Sequence, residues 1–156
     1  MDFEKIKTRA HREWNALMKL PQPVIHVGMG TCGRAAGAEH VLSAVGQSVK
    51  RMGILCRTLQ VGCIGMCYLE PLLAIRKPDR PFIYYGKVTP EMTEEILSSY
   101  LQHDDPKPQW ATCTLGDKTV EGIPRFQDLP MIRPQASTCR ACTACGAGSI
   151  GIGAVA

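Results

Sequence analysis

The sequence of 156 residues lacks any apolar run that approaches the roughly 18–20 residues of a membrane-spanning helix. It opens with the charged stretch MDFEK, which is unlike the start of a secretory signal. Basic and acidic side chains are mixed along the chain, and no basic block accompanies the formal net charge of +4. This charge pattern argues against nucleic acid as the main partner. Together these absences predict a cytoplasmic protein without direct membrane insertion.

Arrangements typical of hydrolytic enzymes are also missing. No two carboxylates, and no Ser, His and Asp set, have a spacing that predicts catalysis. The glycines at 28, 30 and 33 match the G-x-G-x-x-G dinucleotide fingerprint, but no acidic residue follows near Val61, at the end of the next predicted strand. Nucleotide binding is therefore disfavoured. The Glu-Pro dipeptide at Glu70 favours a turn that shapes its loop over an acid catalyst.

Cysteine, by contrast, is abundant, with eight in the chain. A disulfide framework is not expected in a chain without a secretory signal. Ligation of a metal ion or cluster is therefore favoured over eight unrelated buried thiols.

Hydrophobic periodicity predicts an N-terminal helix, then the order strand, helix, strand, strand, strand, helix. The predicted elements are an amphipathic helix over 2–19, a strand over 24–27, a helix over 34–52, strands over 54–61, 72–75 and 82–85, and a helix beginning at Pro90 behind an N-cap at Thr89. A helix between the first two strands predicts that they are parallel, and the short turn before the last strand predicts an antiparallel pair. This order indicates an α/β fold of the thioredoxin-like type, a small mixed sheet flanked by helices.

Composition divides the chain into four predicted regions: the helix over 1–20, the α/β domain over 21–103, a connector over 104–135, and a weakly structured tail over 136–156. The segment 112–121 within the connector is compatible with a hairpin. The tail carries Cys139, Cys142 and Cys145, which imitate the start of a bacterial ferredoxin run. No fourth cysteine follows, so accidental composition is favoured there over a metal role.

Three cysteines lie in two glycine-rich loops. Cys32 follows the first predicted strand, and Cys63 and Cys67 follow the second. Because neighbouring parallel strands end side by side, we expect these loops to converge. Glycine lets the backbone approach a cluster and point N–H groups at its sulfurs. The predicted metal ligands are Cys32, Cys63 and Cys67, and the predicted cofactor-binding glycines are Gly30, Gly33, Gly62 and Gly65.

Three segments carry a family resemblance: GTCGRAAGA at 30–38, GCIGMCYLEP at 62–71 and YYGKVTPE at 84–91. They resemble the thioredoxin-like [2Fe-2S] ferredoxins. More narrowly, they are similar to the version at the N-terminus of the flavin-binding, NADH-oxidising subunit of NADH:quinone oxidoreductase and related NAD-linked hydrogenases and formate dehydrogenases. The resemblance covers about 20–103. The segment GIPRFQDLP at 122–130, with Gln135, is similar to the connector into the flavin domain.

The resemblance implies a [2Fe-2S] cluster and a role as an iron–sulfur electron-transfer module. The chain would pass single electrons between that cluster and a flavin in a partner domain or subunit, with NADH as the ultimate donor. On its own it is not expected to oxidise NADH.

The sequence departs from the family in two respects. The family pairs a Cys-x4-Cys with its Cys-x3-Cys, but Gly37 stands five positions after Cys32, where that spacing requires a cysteine, and Val27 stands five positions before it. The fourth ligand is therefore unidentified, with Cys56 and His26 as alternatives and Cys113 as an incidental cysteine. The resemblance also ends after Gln135, where the flavin and NADH domain is expected to begin, as in a truncated, split or frameshifted subunit.

Two other functions stay open. The first is a metal-free thioredoxin-like domain that docks onto the flavin subunit. The second, a thiol-redox protein, is disfavoured because its motif is Cys-x2-Cys at the start of a helix, whereas Cys63 and Cys67 are separated by three residues and precede a predicted strand.

Overall fold

The computed structural model describes residues 2–116 and 118–132, and the predicted tail with its three cysteines lies outside this part. Up to α4 the described helices and strands follow the predicted order, apart from the division of one helix into two. The helices are α1 (Phe3–Met18), α2 (Thr31–Ala35), α3 (Ala38–Met52) and α4 (Pro90–His103), with 3-10 turns at Cys67–Leu69 and Phe126–Asp128. The strands are β1 (Val24–Gly28), β2 (Arg57–Val61), β3 (Leu73–Arg76), β4 (Phe82–Tyr85) and β5 (Ala111–Leu115).

The five strands form one mixed sheet in the order β2-β1-β3-β4-β5. β1 and β2 are parallel, and the other neighbouring pairs are antiparallel. The predicted parallel and antiparallel pairings are therefore confirmed. Gly28, the last residue of β1, lies opposite Val61, the last residue of β2. The loops that follow these two strands consequently start side by side.

Side chains alternate between the two faces of the sheet. Ile25 and Val27 of β1 pack in one apolar cluster with Val45 of α3 and Ile96 of α4, and all four are fully buried. The helices α3 and α4 therefore pack against the same face of the sheet. The opposite face is covered by a second apolar cluster to which the loop after β2 contributes Met66.

The prediction of a single helix over 34–52 is wrong, because the structure divides this segment between two helices. Gly37 has φ of +94° and separates the short helix α2 from α3. This left-handed conformation costs glycine little and ends a helix. Cys32 therefore lies on a short helix of its own, directly after the turn that follows β1.

The connector also differs from the prediction. Instead of opening a hairpin, Ala111–Leu115 forms β5 and pairs with β4, which places Cys113 opposite Tyr84. Beyond the named strands, the β structure of the described residues is limited to two isolated bridges, Thr114 with Arg125 and Val120 with Ile123. The free edge of β4 offers a full row of backbone hydrogen-bonding groups, so long-range pairing replaces the local hairpin. The division of the chain into four regions stays a prediction.

α1 is confirmed as a helix, but none of its residues is buried. Phe3 and Trp14, on its predicted apolar side, are 70% and 53% exposed. Its C-terminal end is attached to the sheet, because the buried Arg76 guanidinium donates hydrogen bonds to the carbonyl oxygens of Leu17 (2.9 Å) and Met18 (3.0 Å). No helix within 2–116 and 118–132 has both the length and the hydropathy needed to cross a bilayer.

Candidate metal centre

Cys32 is held by a turn that is fixed to both neighbouring strands. The Gly28 N–H donates to the Leu72 carbonyl (2.9 Å), and the Met29 N–H donates to the Val61 carbonyl (2.8 Å). Cys32 then lies in the first turn of α2. The position of Cys32 is therefore fixed by the hydrogen bonds between this turn and the neighbouring segments of the sheet.

Cys63 and Cys67 lie in the loop after β2, which folds back on itself. Gly65 has φ of +89°, a conformation that suits glycine, and its N–H donates to the Cys63 Sγ at 3.3 Å. Met66 is only 2% exposed and anchors the loop in the second apolar cluster. The Leu69 N–H closes the following 3-10 turn on the Met66 carbonyl at 2.9 Å. This local folding brings both cysteines to the same side of the loop.

The two loops converge as their positions after parallel strands predict. The Sγ atoms of Cys32, Cys63 and Cys67 all lie within 4.8 Å of one another. The Cys63 and Cys67 sulfurs are 3.3 Å apart. Metal–thiolate bonds are about 2.3 Å long, so two thiolates on one ion lie about 4 Å apart. The three sulfurs are consequently close enough to share a metal centre.

Close packing favours glycine at two of the four predicted positions, Gly30 between the two loops and Gly33 within the first turn. A Cβ on Gly30 would lie 3.0 Å from the Cys63 nitrogen and 3.1 Å from its Cβ. A Cβ on Gly33 would meet the Gly28 carbonyl oxygen at 2.2 Å. Gly65 is required for its positive φ, whereas Gly62 has open space around it. Direct contact of these glycines with a cofactor stays a prediction.

The two thiols of the second loop differ in acidity. The N–H of Gly65 that points at the Cys63 sulfur lowers the pKa of Cys63. Hydrogen bonding raises the pKa of Cys67 to about 12, with the larger contribution from Cys32 and the next from Cys63. Of these two thiols Cys63 therefore ionises first, and its thiolate disfavours a second negative charge nearby. A soft cation would remove this penalty, because thiolates are the form that binds metals.

A buried carboxyl group lies beside the two loops. Glu70 is 8% exposed, and its Oε2 accepts a hydrogen bond from the Leu72 N–H at 2.8 Å. Its Oε1 is also buried and has no hydrogen-bond partner within the described part of the chain. Burial raises the pKa of Glu70. The sequence predicts a loop-shaping turn here, but nothing in it indicates that the carboxyl is buried.

The alternative ligands lie away from the three sulfurs. Cys56 precedes β2, at the opposite end of that strand, and its Sγ is 3.9 Å from the Thr58 Oγ1. His26 lies within β1 and stacks on Phe82, with ring centroids 4.5 Å apart. Cys113 is fully buried in β5. Within 2–116 and 118–132, the set of mutually close metal-ligating atoms contains Cys32, Cys63 and Cys67 and none of these alternatives. The donor set therefore fits three positions of a four-thiolate cluster.

Comparison with known proteins supports the fold. No family model matches the chain. Over 84 residues, which are 53% of this chain and 67% of the relative, it is 27% identical to the NADP-reducing hydrogenase subunit HndB of Solidesulfovibrio fructosivorans. It is also similar to a thioredoxin-like [2Fe-2S] ferredoxin from Aquifex aeolicus, with a TM-score of 0.54 and 15% identity over 65% of this chain and 99% of that chain. A second structure, of the wild-type thioredoxin-like [2Fe-2S] ferredoxin from that organism, gives a TM-score of 0.50 and 18% identity over 59% and 97%.

The chain therefore has the α/β fold of the thioredoxin-like [2Fe-2S] ferredoxins, and the predicted fold class is confirmed. At these identities the structural similarity defines the fold alone. The similarity to HndB relates the chain to a subunit of a hydrogenase.

Proposed function

We propose that the chain is an iron–sulfur electron-transfer module of an NAD(P)-linked oxidoreductase complex, with Cys32, Cys63 and Cys67 holding a [2Fe-2S] cluster. The observation that carries this proposal is the convergence of three sulfurs within 4.8 Å from two loops far apart in sequence. Convergence of this kind is not needed for packing, because Cys63 and Cys67 are exposed.

The chain's own groups suit such a site. A bound [2Fe-2S] cluster supplies one-electron transfer, with a potential tuned by hydrogen bonds to its sulfurs and by exposure to solvent. The Gly65 N–H donates to the Cys63 Sγ at 3.3 Å and would stabilise the negative charge of that thiolate. Exposure of Cys63 and Cys67 leaves this side of the site accessible to a partner protein.

One terminal position would be filled by a ligand other than these three cysteines. Cys56, His26 and Cys113 are not in the set of mutually close ligating atoms within the described residues, so we expect the ligand to come from elsewhere. A cluster held by these three thiolates alone has one exchangeable position. We therefore expect it to be lost to chelators faster than a cluster with four thiolates.

The proposed partner is a flavin-binding, NADH-oxidising subunit. Two findings support it: the resemblance of the loop sequences to the domain that precedes the flavin domain in such subunits, and the similarity to a subunit of an NADP-reducing hydrogenase. In such a complex the nicotinamide chemistry belongs to the partner, and this chain relays single electrons.

Iron loading tests the proposal. The full chain is reconstituted anaerobically with iron and sulfide, and both are counted per chain, with about two irons expected. The double variant Cys63→Ser, Cys67→Ser is expected to lose the iron. The matched control is Cys56→Ser, which removes a thiol outside the site and is expected to load like the unmodified chain. An iron-free unmodified chain, or equal loading of the double variant, contradicts the proposal.

Among the described residues no fourth thiol lies close to the three sulfurs, and this favours one alternative, a metal-free domain that docks onto the flavin subunit. In that case the complex forms with the double variant as well as with the unmodified chain, and no iron accompanies either. Loss of the complex in the double variant would exclude this alternative.

A further inference from the structure

Glu70 makes one backbone and one side-chain hydrogen bond at the end of the second loop. Its backbone N–H donates to the Cys67 carbonyl at 3.3 Å, and its Oε2 accepts from the Leu72 N–H at 2.8 Å. The side chain therefore fixes the exit of the loop that carries Cys63 and Cys67.

The same carboxyl lies directly on the turn that carries Cys32. A Cβ on Gly28 would lie 2.9 Å from the Glu70 Oε2 and 3.1 Å from its Oε1, and a Cβ on Gly33 would lie 3.0 Å from Oε2. A side chain at either position would press on the carboxyl. Glu70 is thus packed between the backbone on both sides of Cys32 and the loop of the other two cysteines.

Burying a carboxyl group at this position destabilises the folded chain, so its presence calls for an explanation. A buried polar oxygen without a hydrogen-bond partner destabilises the folded state, and Oε1 is such an atom. An apolar side chain would fill the space without this cost, but it would leave the Leu72 N–H unpaired. What the carboxyl adds is an acceptor for the Leu72 N–H, and it thereby fixes the residue whose carbonyl accepts from the Gly28 N–H of the first turn at 2.9 Å.

We propose that Glu70 is a positioning residue that holds the Cys63 and Cys67 loop against the Cys32 turn and so sets the separation of the three sulfurs. The importance of that separation rests on the proposed function. The separation itself is a property of the metal-free chain. It can therefore be measured whether or not a cluster binds.

The test bridges the thiols of the metal-free, full-length chain with dibromobimane, a short reagent that links two nearby sulfurs. After trypsin digestion, Cys32 is in peptide 20–34, and Cys63 and Cys67 share peptide 58–76. Mass spectrometry then distinguishes a bridge between the loops, which joins the two peptides, from a bridge within the second loop. The second bridge is an internal control, since it reports on the folding of that loop alone.

Three variants distinguish the effect of the Glu70 hydrogen-bond acceptor from the effect of its side-chain volume. Glu70→Gln keeps an oxygen that can accept from the Leu72 N–H, Glu70→Met keeps the approximate volume without an acceptor, and Glu70→Ala removes both. We expect the bridge between the loops to fall about tenfold in the Met and Ala variants, the effect of losing one buried hydrogen bond. Glu70→Gln is expected to restore most of it, with the bridge within the loop unchanged in all three.

Two results would overturn this role. Unchanged bridging between the loops in Glu70→Met shows that the carboxyl is not needed, and a parallel fall of both bridges shows that Glu70 only keeps the loop folded. Because no metal is present, neither result depends on whether the chain carries a [2Fe-2S] cluster. Failure of iron loading in the unmodified chain, with bridging intact, would instead contradict the proposed function alone.

Discussion

Gly30 and Cys63 are packed so closely that a Cβ on Gly30 would lie 3.0 Å from the Cys63 backbone nitrogen and 3.1 Å from its Cβ. These residues belong to different loops, so their contact measures how closely the two halves of the site approach. The contact involves backbone and Cβ atoms, which cannot rotate away as the end of a long side chain can.

Gly30→Ala is therefore expected to push the second loop outward and separate Cys63 from Cys32. We expect iron loading to fall, while the sheet and the helices stay folded. Iron per chain after reconstitution measures the effect, with circular dichroism as the check on folding.

The control for this substitution is Gly46→Ala. Gly46 lies in the interior of α3, and a Cβ there would meet nothing within 4 Å. This variant is expected to load iron normally and to gain up to about 1 kcal/mol of stability from better helix propensity. Equal iron loading in the two variants would show that the close approach at Gly30 is not needed for the site.

Arg76 provides the second prediction, because its guanidinium holds the end of α1. Lysine at this position cannot donate in fork geometry to the carbonyl oxygens of both Leu17 and Met18. Since a 16-residue helix alone is marginally stable, we expect α1 to unfold locally in Arg76→Lys. Tryptic cleavage within α1 is expected to become about tenfold faster, equivalent to ~1.4 kcal/mol.

The Arg76→Lys substitution keeps the number of trypsin sites, so cleavage rates can be compared directly by mass spectrometry. Arg57→Lys, on the exposed side of β2, is the matched control and is expected to leave the cleavage rate unchanged. Equal cleavage of α1 in Arg76→Lys and the unmodified chain would show that the two hydrogen bonds do not hold the helix.

The sequence was sufficient to predict the arrangement of the two cysteine loops. Both follow predicted strands, and parallel pairing of those strands fixes where their ends lie, so Cys32 and Cys63 could be placed together from local patterns alone. Binding of a metal centre by these residues is proposed on the basis of this geometry.

Three features depend on tertiary contacts that have no local signal. Glycine is tolerated inside helices, so nothing in the sequence shows that Gly37 adopts a positive φ and separates α2 from α3. Ala111–Leu115 becomes β5 only because the edge of β4 is free. Burial of Glu70 depends on close contact with the turn around Cys32, which a sequence pattern does not specify.

Asp104 provides a pH-dependent prediction. Its carboxylate accepts hydrogen bonds from Lys77 (2.6 Å) and Arg80 (2.7 Å), and the Lys77 hydrogen bond contributes most to lowering the pKa of Asp104 below 3.8. A lowered pKa in the folded state means that the ion pairs stabilise the protein at neutral pH. This stabilisation is lost as the pH falls through the lowered pKa.

Asp104→Asn isolates the charge, because asparagine tolerates the left-handed conformation (φ of 60°) that Asp104 adopts after α4. We expect the variant to lose less than about 1 kcal/mol of unfolding free energy at pH 7, since the pair is partly exposed. Urea unfolding at pH 7 and near pH 3 measures the difference, which should shrink at the lower pH and also in about 1 M salt. A loss that is equal at both pH values would assign the effect to the cap geometry and not to the charge.

The central claim is that three sulfurs from two loops hold an electron-carrying cluster. Electron paramagnetic resonance of the reconstituted, dithionite-reduced full-length chain tests it most directly, with iron counted in the same sample. The account predicts a signal from one unpaired electron for every two irons, lost in Cys32→Ser and retained in Cys56→Ser. Bound iron without such a signal, or a signal that survives Cys32→Ser unchanged, would contradict it.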